Sequence, residues 1–227
     1  ANVSAFLFDL NDKKNKWNFG GSASVSNVLG KGAKNTTGYA HSVYFGKTSG
    51  KFNFNIWQEL SNDKYDKSDL GYFTNNNTMD QGLWMGYNWV KPKRNFNTFY
   101  SRLVTPIDIL KRKEKMYQSG GGNVNMNGQT KKLWWVGANI NWGYSINDFY
   151  EARVTGRVFQ NKGRIGGGMW WNSNQAKKLS WGAEVFGGTG GVFNRKSFTP
   201  TLFGKIRFSS KFSIDNSLSM EFHKNSQ

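Results

Sequence analysis

The chain has 227 residues, enough for one large all-β domain or two small ones. It has no cysteine, which excludes disulfides and thiolate metal sites, and it has no apolar run long enough for a transmembrane helix. Its formal net charge of +17 indicates an anionic partner, so nucleic acid and phosphate-bearing lipid are both considered below.

Non-polar residues alternate with polar or small ones along most of the sequence. This pattern predicts β-strands, because successive side chains of a strand point to opposite faces. Twelve segments follow it: residues 2–10, 17–28, 38–47, 51–60, 79–90, 95–105, 116–127, 132–144, 165–172, 179–187, 200–208 and 212–222. The predicted fold class is all-β, with a single domain over residues 1–227.

The segment KKLWWVGANINWGYS, at residues 131–145, has the clearest alternation. Its non-polar parity consists of Trp134, Val136, Ala138, Ile140 and Trp142. Apart from Trp135, the other parity is small or polar and includes Asn139 and Asn141. About ten residues suffice for a tilted strand to cross a bilayer. We therefore predict that the non-polar parity faces lipid, as do Leu83 and Met85 in an earlier segment, and that Asn139 and Asn141 face a lumen.

The connections between the twelve segments alternate in length: short, medium, short, long, short, medium, short, long, short, medium, short. Such alternation is typical of outer-membrane β-barrels, whose short turns lie in the periplasm and whose long loops lie outside. The Gly-, Asn- and Ser-rich second face suits a crowded or water-filled lumen better than a second packed sheet. An antiparallel transmembrane β-barrel with about twelve strands visible here is therefore favoured over a soluble β-sandwich.

Several charged residues fall on the lumen parity of the last strands. They are Glu184, Lys205, Arg207, Asp215 and Glu221. A charge that faces lipid at mid-depth costs about 2–4 kcal/mol, so we predict that these side chains point into the lumen. There they would form a ladder across the lumen or tune selectivity for a solute.

The connection after residue 60 contains candidate ligand-binding residues. Asp63, Asp66 and Asp69 offer carboxylates to a calcium ion, although their spacing differs from that of an EF-hand and lysines stand between them. A loop with local ion pairs is the simpler interpretation. Tyr65, Tyr72 and Phe73 either stack on sugar rings or pack the loop against the end of the barrel.

The second long connection, after residue 145, contains Glu151, Arg153 and Arg157. These three side chains can pair with one another. If the loop folds inward, they line or plug the lumen; if it stays outside, their ion pairs contribute little to stability.

Four motifs carry a family resemblance: YDKSDLGYFTN at 65–75, GYNWVKPKRNFN at 86–97, FYEARVTGRVFQ at 149–160 and SNQAKKLSW at 173–181. They resemble the outer-membrane β-barrel region of a Bacteroidota family of unassigned activity, in which a carbohydrate-binding-family-9-like domain usually precedes the barrel. The resemblance implies an outer-membrane location and a link to glycan handling. The sugar-binding-like domain is absent from these 227 residues, and the barrel is shorter than the family's.

No arrangement of catalytic residues stands out, so we expect neither an enzyme nor a cofactor. The predicted function is that of an integral outer-membrane β-barrel acting as a pore, export conduit or surface scaffold. Its expected partners are outer-membrane lipid, lipopolysaccharide and other outer-membrane proteins or surface lipoproteins. The alternative is a soluble basic β-sheet protein that binds nucleic acid or acidic glycan. Against nucleic acid, the lysines divide among turns at opposite strand ends.

The short connections next to the first and last predicted strands bear on the size of the barrel. They place both chain ends on the extracellular side, whereas single-chain barrels normally keep both termini in the periplasm. We therefore expect a larger barrel of about fourteen strands or more. The edges formed by residues 2–10 and 212–222 would then pair with strands outside this sequence.

Overall fold

The computed structural model describes residues 2–29, 35–67, 76–110, 116–148, 152, 154 and 156–225, and for residues 107–110 only the backbone. Across these residues the regular structure consists of fifteen β-strands. They are β1 (Asn2–Asn11), β2 (Trp17–Val28), β3 (Thr36–Lys47), β4 (Phe52–Ser61), β5 (Thr78–Trp89), β6 (Phe96–Leu110), β7 (Tyr117–Thr130), β8 (Trp135–Gly143), β9 (Ile146–Asp148), β10 (Phe159–Asn161), β11 (Arg164–Asn172), β12 (Leu179–Gly190), β13 (Arg195–Arg207), β14 (Ser213–Ser219) and β15 (Phe222–Lys224). The same residues contain no helix that could cross a membrane.

Thirteen of the strands form one sheet, which confirms the all-β antiparallel fold. Its order is β1-β2-β3-β4-β5-β6-β7-β8-β11-β12-β13-β14, and β15 also pairs with β13. The short strands β9 and β10 form a separate two-stranded sheet within the long connection after β8. Among the described strands, β1 pairs only with β2, and β14 and β15 pair only with β13, so the sheet is not closed.

Each of the twelve predicted segments contains a strand, and the largest error lies between β12 and β13. The glycine-rich residues after 187 were interpreted as a medium-length connection, but the ladder continues to the pair Gly190↔Arg195. The turn therefore shrinks to 191–194, with Gly191 at φ 80° and Asn194 at φ 51°. Glycine residues weaken a strand that has no neighbouring strands to support it. Here β11 and β13 both supply hydrogen-bond partners to β12, so the strand persists.

The last predicted strand is divided into β14 and β15 by a proline on its neighbour. One register relates β13 to both strands, from Arg207↔Ser213 to Lys196↔Lys224. Pro200 lies opposite Met220, accepts a hydrogen bond from the Met220 N–H and has no N–H to donate in return. The interruption at 220–221 thus reflects one missing donor rather than a change of direction.

The chain divides into two compact units, each described here by itself. Unit 1 comprises Ala1–Met85, Val104–Gly120 and Asn147–Val158, and unit 2 comprises Gly86–Leu103, Gly121–Ile146 and Phe159–Gln227. Unit 1 contains β1 to β4, and unit 2 contains β8 and β11 to β15. Across the described residues, the only hydrophobic side chains that are buried are Leu60 and Tyr65.

Large aromatic side chains pack over glycines on neighbouring strands in both units. In unit 2, a Cβ added to Gly182 would lie 2.5 Å from the ring of its cross-strand partner Phe203, and one added to Gly137 would lie 2.2 Å from the ring of Trp170. In unit 1, Gly82 has the same relation to the ring of Trp57, at 2.0 Å. These rings lie flat against the sheet and shield the backbone that glycine leaves bare.

This packing predicts that alanine destabilises the protein at one glycine but not at a second glycine on the neighbouring strand. Gly182→Ala places a methyl group against the Phe203 ring and should lower the free energy of unfolding by about 1–3 kcal/mol. Gly204→Ala should cause no loss, because the nearest atom to its new Cβ is 3.9 Å away. Denaturant unfolding followed by tryptophan fluorescence measures both. Equal losses would contradict the packing argument.

Candidate functional site

One face of the unit 2 sheet is non-polar across six adjacent strands, because the register brings the hydrophobic parities of the strands into line. Ile140 of β8 lies opposite Val124 of β7, and Ala138 lies between Met126 of β7 and Met169 of β11. The alignment continues across β12 to β14 through the pairs Met169↔Val185, Ala183↔Leu202 and Leu202↔Leu218. The result is a continuous non-polar surface, referred to below as the apolar face.

The apolar face is exposed. The side chains of Ile140, Met169 and Leu202 are 56%, 61% and 60% accessible. Of the other residues predicted to face lipid, Trp134 and Ala138 are exposed, and Val136 and Trp142 are half-buried. None of the five predicted residues of β8 and its preceding turn is therefore packed in a protein core.

The remaining two residues predicted to face lipid, Leu83 and Met85, lie on β5 in unit 1 and are half-buried. Leu83 lines a largely non-polar cavity of about 440 Å³ together with Val43, Phe45 and Ile56. Phe45 and Ile56 are cross-strand partners on β3 and β4, and both are exposed. Unit 1 thus has a non-polar face of its own, and Leu83 belongs to it.

The opposite face of unit 2 is built from asparagine and glycine. Asn139 lies between Asn125 and Gly168, and Asn141 lies between Asn123 and Gly166. Asparagine side chains at this density need hydrogen-bond partners, and the Asn139 Oδ1 atom, although buried, has none among the described residues. This polar face has the amide-rich chemistry expected of a surface in contact with water or a polar solute.

The charged residues predicted on the polar parity do share this face. The Lys205 Nζ lies 3.1 Å from the Asp215 Oδ1, and the Arg207 Nη2 donates to the Gln175 carbonyl at 3.4 Å. Glu184 is half-buried opposite Thr201. Lys205 and Asp215 are on neighbouring strands and the Asp215 side chain is largely exposed, so this ion pair contributes little to stability.

Glu221 falls between β14 and β15, at the interruption opposite Pro200. Its Oε2 lies 3.2 Å from the His223 Nε2, and the Arg195 Nη2 lies 3.4 Å from the His223 Nδ1. These side chains form a small exposed group near the turn that joins β12 to β13.

In unit 1, residues 62–67 of the connection after β4 lie against the polar face of β2 and β3. Tyr65 is 6% exposed, and its hydroxyl accepts a hydrogen bond from the Ser24 Oγ at 3.0 Å. The Asp66 N–H donates to the Ser26 Oγ at 2.9 Å. A Cβ on Gly38 would lie 2.2 Å from the Tyr65 backbone, so glycine is needed there for the close approach.

Two asparagines hold this segment, called the 62–67 segment from here on, in place. The Asn62 Oδ1 accepts from the Tyr39 N–H at 3.0 Å, and the Asn62 N–H donates to the Tyr39 carbonyl at 3.0 Å. The Asn76 Nδ2 donates to the carbonyls of Asp63 and Tyr65, at 2.8 and 3.1 Å. Side-chain amides therefore hold the segment at Asn62, Asp63 and Tyr65.

A polar cavity of about 370 Å³ lies beside the 62–67 segment in unit 1. Most of its lining is hydroxyl-bearing or charged: Ser22, Ser24, Ser42, Glu59, Ser61, Tyr65, Lys67, Thr78 and Asp80. Ser22 and Ser42 are within hydrogen-bond distance across the strand pair at 2.9 Å, and Ser61 and Thr78 are 3.2 Å apart. Tyr65 was expected either to stack on sugar rings or to pack its loop, and it lies packed against β2. The serine cluster was not predicted, because nothing near Tyr65 in the sequence indicates which strand it contacts.

The calcium and loop predictions remain open. Within the described residues, no group of three or more His, Cys, Asp or Glu side chains is placed to hold a metal ion. Asp63 and Asp66 belong to the 62–67 segment, and Asp69 lies outside the described residues. So do Tyr72, Phe73, Glu151 and Arg153, whereas Arg157 is described and exposed, with its N–H donating to the Val154 carbonyl at 3.1 Å.

Removing Tyr65 should release the 62–67 segment. Tyr65→Ala deletes its one large buried side chain, a change that costs about 3–5 kcal/mol at comparable buried aromatic sites. Trypsin should then cut faster after Lys64 and Lys67, as followed by mass spectrometry. Tyr39→Ala is the control, because Tyr39 is 52% exposed. Unchanged cleavage in Tyr65→Ala would contradict the anchoring role.

Comparison with known proteins identifies a family but no characterised relative. No curated protein and no solved structure matches the chain. A family model described as "Domain of unknown function (DUF5916)" matches residues 1–227, the whole length of the sequence. The chain therefore belongs to the DUF5916 family.

Proposed function

We propose that this chain is part of an integral outer-membrane β-barrel of a Gram-negative bacterium, in which it forms a conduit for polar solutes or a surface scaffold. The observation that carries the proposal is the exposed apolar face of unit 2. A water-soluble β-sheet buries its non-polar face against a second layer. Among the described residues no helix and no second large sheet is available for this purpose.

Acyl chains of lipid are the covering that suits this face. Its side chains are aliphatic or sulfur-containing at the centre, as at Ile140, Met169 and Leu202, with no charged residue among them. Five of the six strands that carry it have 9 to 14 residues, and β14 has 7. About 9–11 residues are enough for a tilted strand to cross the hydrocarbon layer. A sheet of this length, with one non-polar and one polar side, has the composition of a membrane-barrel wall.

The polar side supports an aqueous interior. Asn139, Asn141 and the pair Lys205–Asp215 share this face, where hydration satisfies groups that lipid would not. The hydroxyl-lined cavity of unit 1 supplies donors and acceptors suited to polar solutes such as sugars. This agrees with the resemblance to Bacteroidota barrels that follow a sugar-binding-like domain. A link to glycan handling is part of the proposal for that reason.

Substituting arginine for Ile140 tests whether the apolar face contacts lipid or water. In a bilayer, Ile140→Arg should cost about 2–4 kcal/mol if the residue lies near the midplane. In water, the same substitution at a side chain 56% exposed should change stability by about 0.5 kcal/mol or less. Unfolding from lipid vesicles measures the difference. Ser217→Arg, on the polar face, is the control and should be tolerated. A tolerated Ile140→Arg would refute the membrane location.

The alternative function, a soluble basic protein that binds nucleic acid or acidic glycan, predicts different behaviour. Such a protein would be released from membranes by buffer alone and would bind DNA or RNA in a salt-dependent way. We expect extraction to require detergent, and we expect no submicromolar affinity for either nucleic acid. Fractionation and fluorescence anisotropy test the two expectations. Buffer solubility together with tight, salt-sensitive binding would favour the alternative.

A further inference from the structure

Half of the sixteen basic residues of unit 2 lie in four turns at one end of its strands. These turns are 90–95, 131–134, 173–178 and 208–212. They contain eight basic residues and no acidic one: Lys91, Lys93, Arg94, Lys131, Lys132, Lys177, Lys178 and Lys211. All eight are exposed, and in the described part of the chain no salt bridge joins any of them to a carboxylate. We call this set the basic rim.

Backbone hydrogen bonds join neighbouring parts of the rim. The Lys131 N–H donates to the Asn95 carbonyl at 2.9 Å, which connects the first turn to the second. The Arg207 N–H donates to the Lys178 carbonyl at 2.8 Å, which connects the third turn to the strand leading into the fourth. The lysines therefore stand on a connected edge of unit 2 rather than on independent loops.

Aromatic side chains lie in the turns of the rim and on the strand ends next to them. Trp134 stacks on Trp171 with ring centroids 5.7 Å apart, and Trp181 meets Trp171 edge-on at 4.2 Å. Elsewhere along the rim, Trp89 stacks on Phe99 at 4.6 Å and Phe208 packs on Phe212 at 5.5 Å. Tryptophan and its aromatic neighbours favour the level of lipid headgroups, where one edge of the ring is wet and the other is not.

Exposed aliphatic side chains stand among the cations of the rim. Leu133 is exposed between Lys132 and Trp134. It adopts φ 60°, a left-handed conformation that residues other than Gly, Asn and Asp rarely take. Leu179 is also exposed, immediately after Lys177 and Lys178. A groove that binds nucleic-acid phosphates does not require exposed aliphatic side chains. The boundary between lipid headgroups and acyl chains accommodates both the cations and the aliphatic side chains.

We propose that the basic rim of unit 2 is a binding surface for anionic phospholipid, with its lysines on the headgroup phosphates and its aromatic row at the acyl boundary. This rests on the proposed membrane location. Because the long connection between β8 and β11 lies at the opposite end of the strands, the rim is assigned to the periplasmic side, and its ligand is the phospholipid of that leaflet rather than lipopolysaccharide. Each cation close to an anionic membrane surface contributes about a fivefold preference.

Quenching of tryptophan fluorescence by brominated lipid tests the proposal on the full chain. The protein is inserted into phosphatidylcholine vesicles that contain brominated phosphatidylglycerol, and the preference for the anionic lipid at the rim tryptophans is read from the quenching. We expect a preference of about fivefold or more. The variant Lys131→Gln, Lys132→Gln, Lys177→Gln, Lys178→Gln removes four of the eight rim cations and should lower the preference by about fivefold or more.

A variant of equal charge provides the matched control. Lys162→Gln, Arg164→Gln, Lys196→Gln, Lys224→Gln removes four positive charges from unit 2 outside the rim. It should keep the preference. Loss of the preference in both variants would mean that net charge alone attracts the lipid and would overturn the rim as a site. Preference for vesicles containing lipopolysaccharide over phosphatidylglycerol would also overturn it.

Insertion into pure phosphatidylcholine vesicles distinguishes failure of the rim proposal from failure of the membrane location on which it rests. A chain that inserts into neutral vesicles but shows no lipid preference leaves the membrane location intact and refutes the rim. A chain that inserts into no vesicle refutes the membrane location and the rim together. Tight binding of a soluble polyanion such as heparin by the detergent-solubilised protein, lost in the rim variant, would identify a polyanion as the ligand instead.

Discussion

The described sheet depends on its backbone ladder, because it has almost no interior in which to bury side chains. Leu60 and Tyr65 are the buried hydrophobic residues of the described chain, whereas Ile140, Met169 and Leu202 are mostly accessible. In a soluble domain, non-polar burial is the main favourable contribution to folding. In the proposed barrel, that contribution comes from the lipid that covers the apolar face, so the membrane belongs to the environment that the fold requires.

The same constraint accounts for the choice of residues on the polar side. Backbone groups beside a glycine have no side chain of their own to cover them, and the rings of Trp57, Trp170 and Phe203 take over that role across strand pairs. Asparagine and serine supply hydrogen bonds over short distances, as in the contact between Ser22 and Ser42. Glycine with large rings and short polar side chains thus forms a thin but well-packed second face.

Local alternation was sufficient to predict most strands of the large sheet and their two faces, but not the short strands β9 and β10. From Val136 to Gly143 of β8, non-polar residues alternate with polar or small ones, so Ile140 and Asn139 could be assigned to opposite sides from sequence alone. The extension of β12 to Gly190 was missed because a glycine-rich segment has no alternating pattern of its own, and its partners on β11 and β13 stabilise it. The position of Tyr65 was also beyond local reasoning, since it contacts Ser24, 41 residues earlier in the sequence.

The order of strands in the large sheet has an evolutionary consequence. From β1 to β8, and again from β11 to β14, each strand pairs with its neighbours in the sequence, without a crossover. A hairpin added to or lost from such a sheet disturbs the two strands beside it and leaves the other pairings unchanged. Duplication of two-strand modules is therefore a low-cost route by which related proteins can come to differ in width.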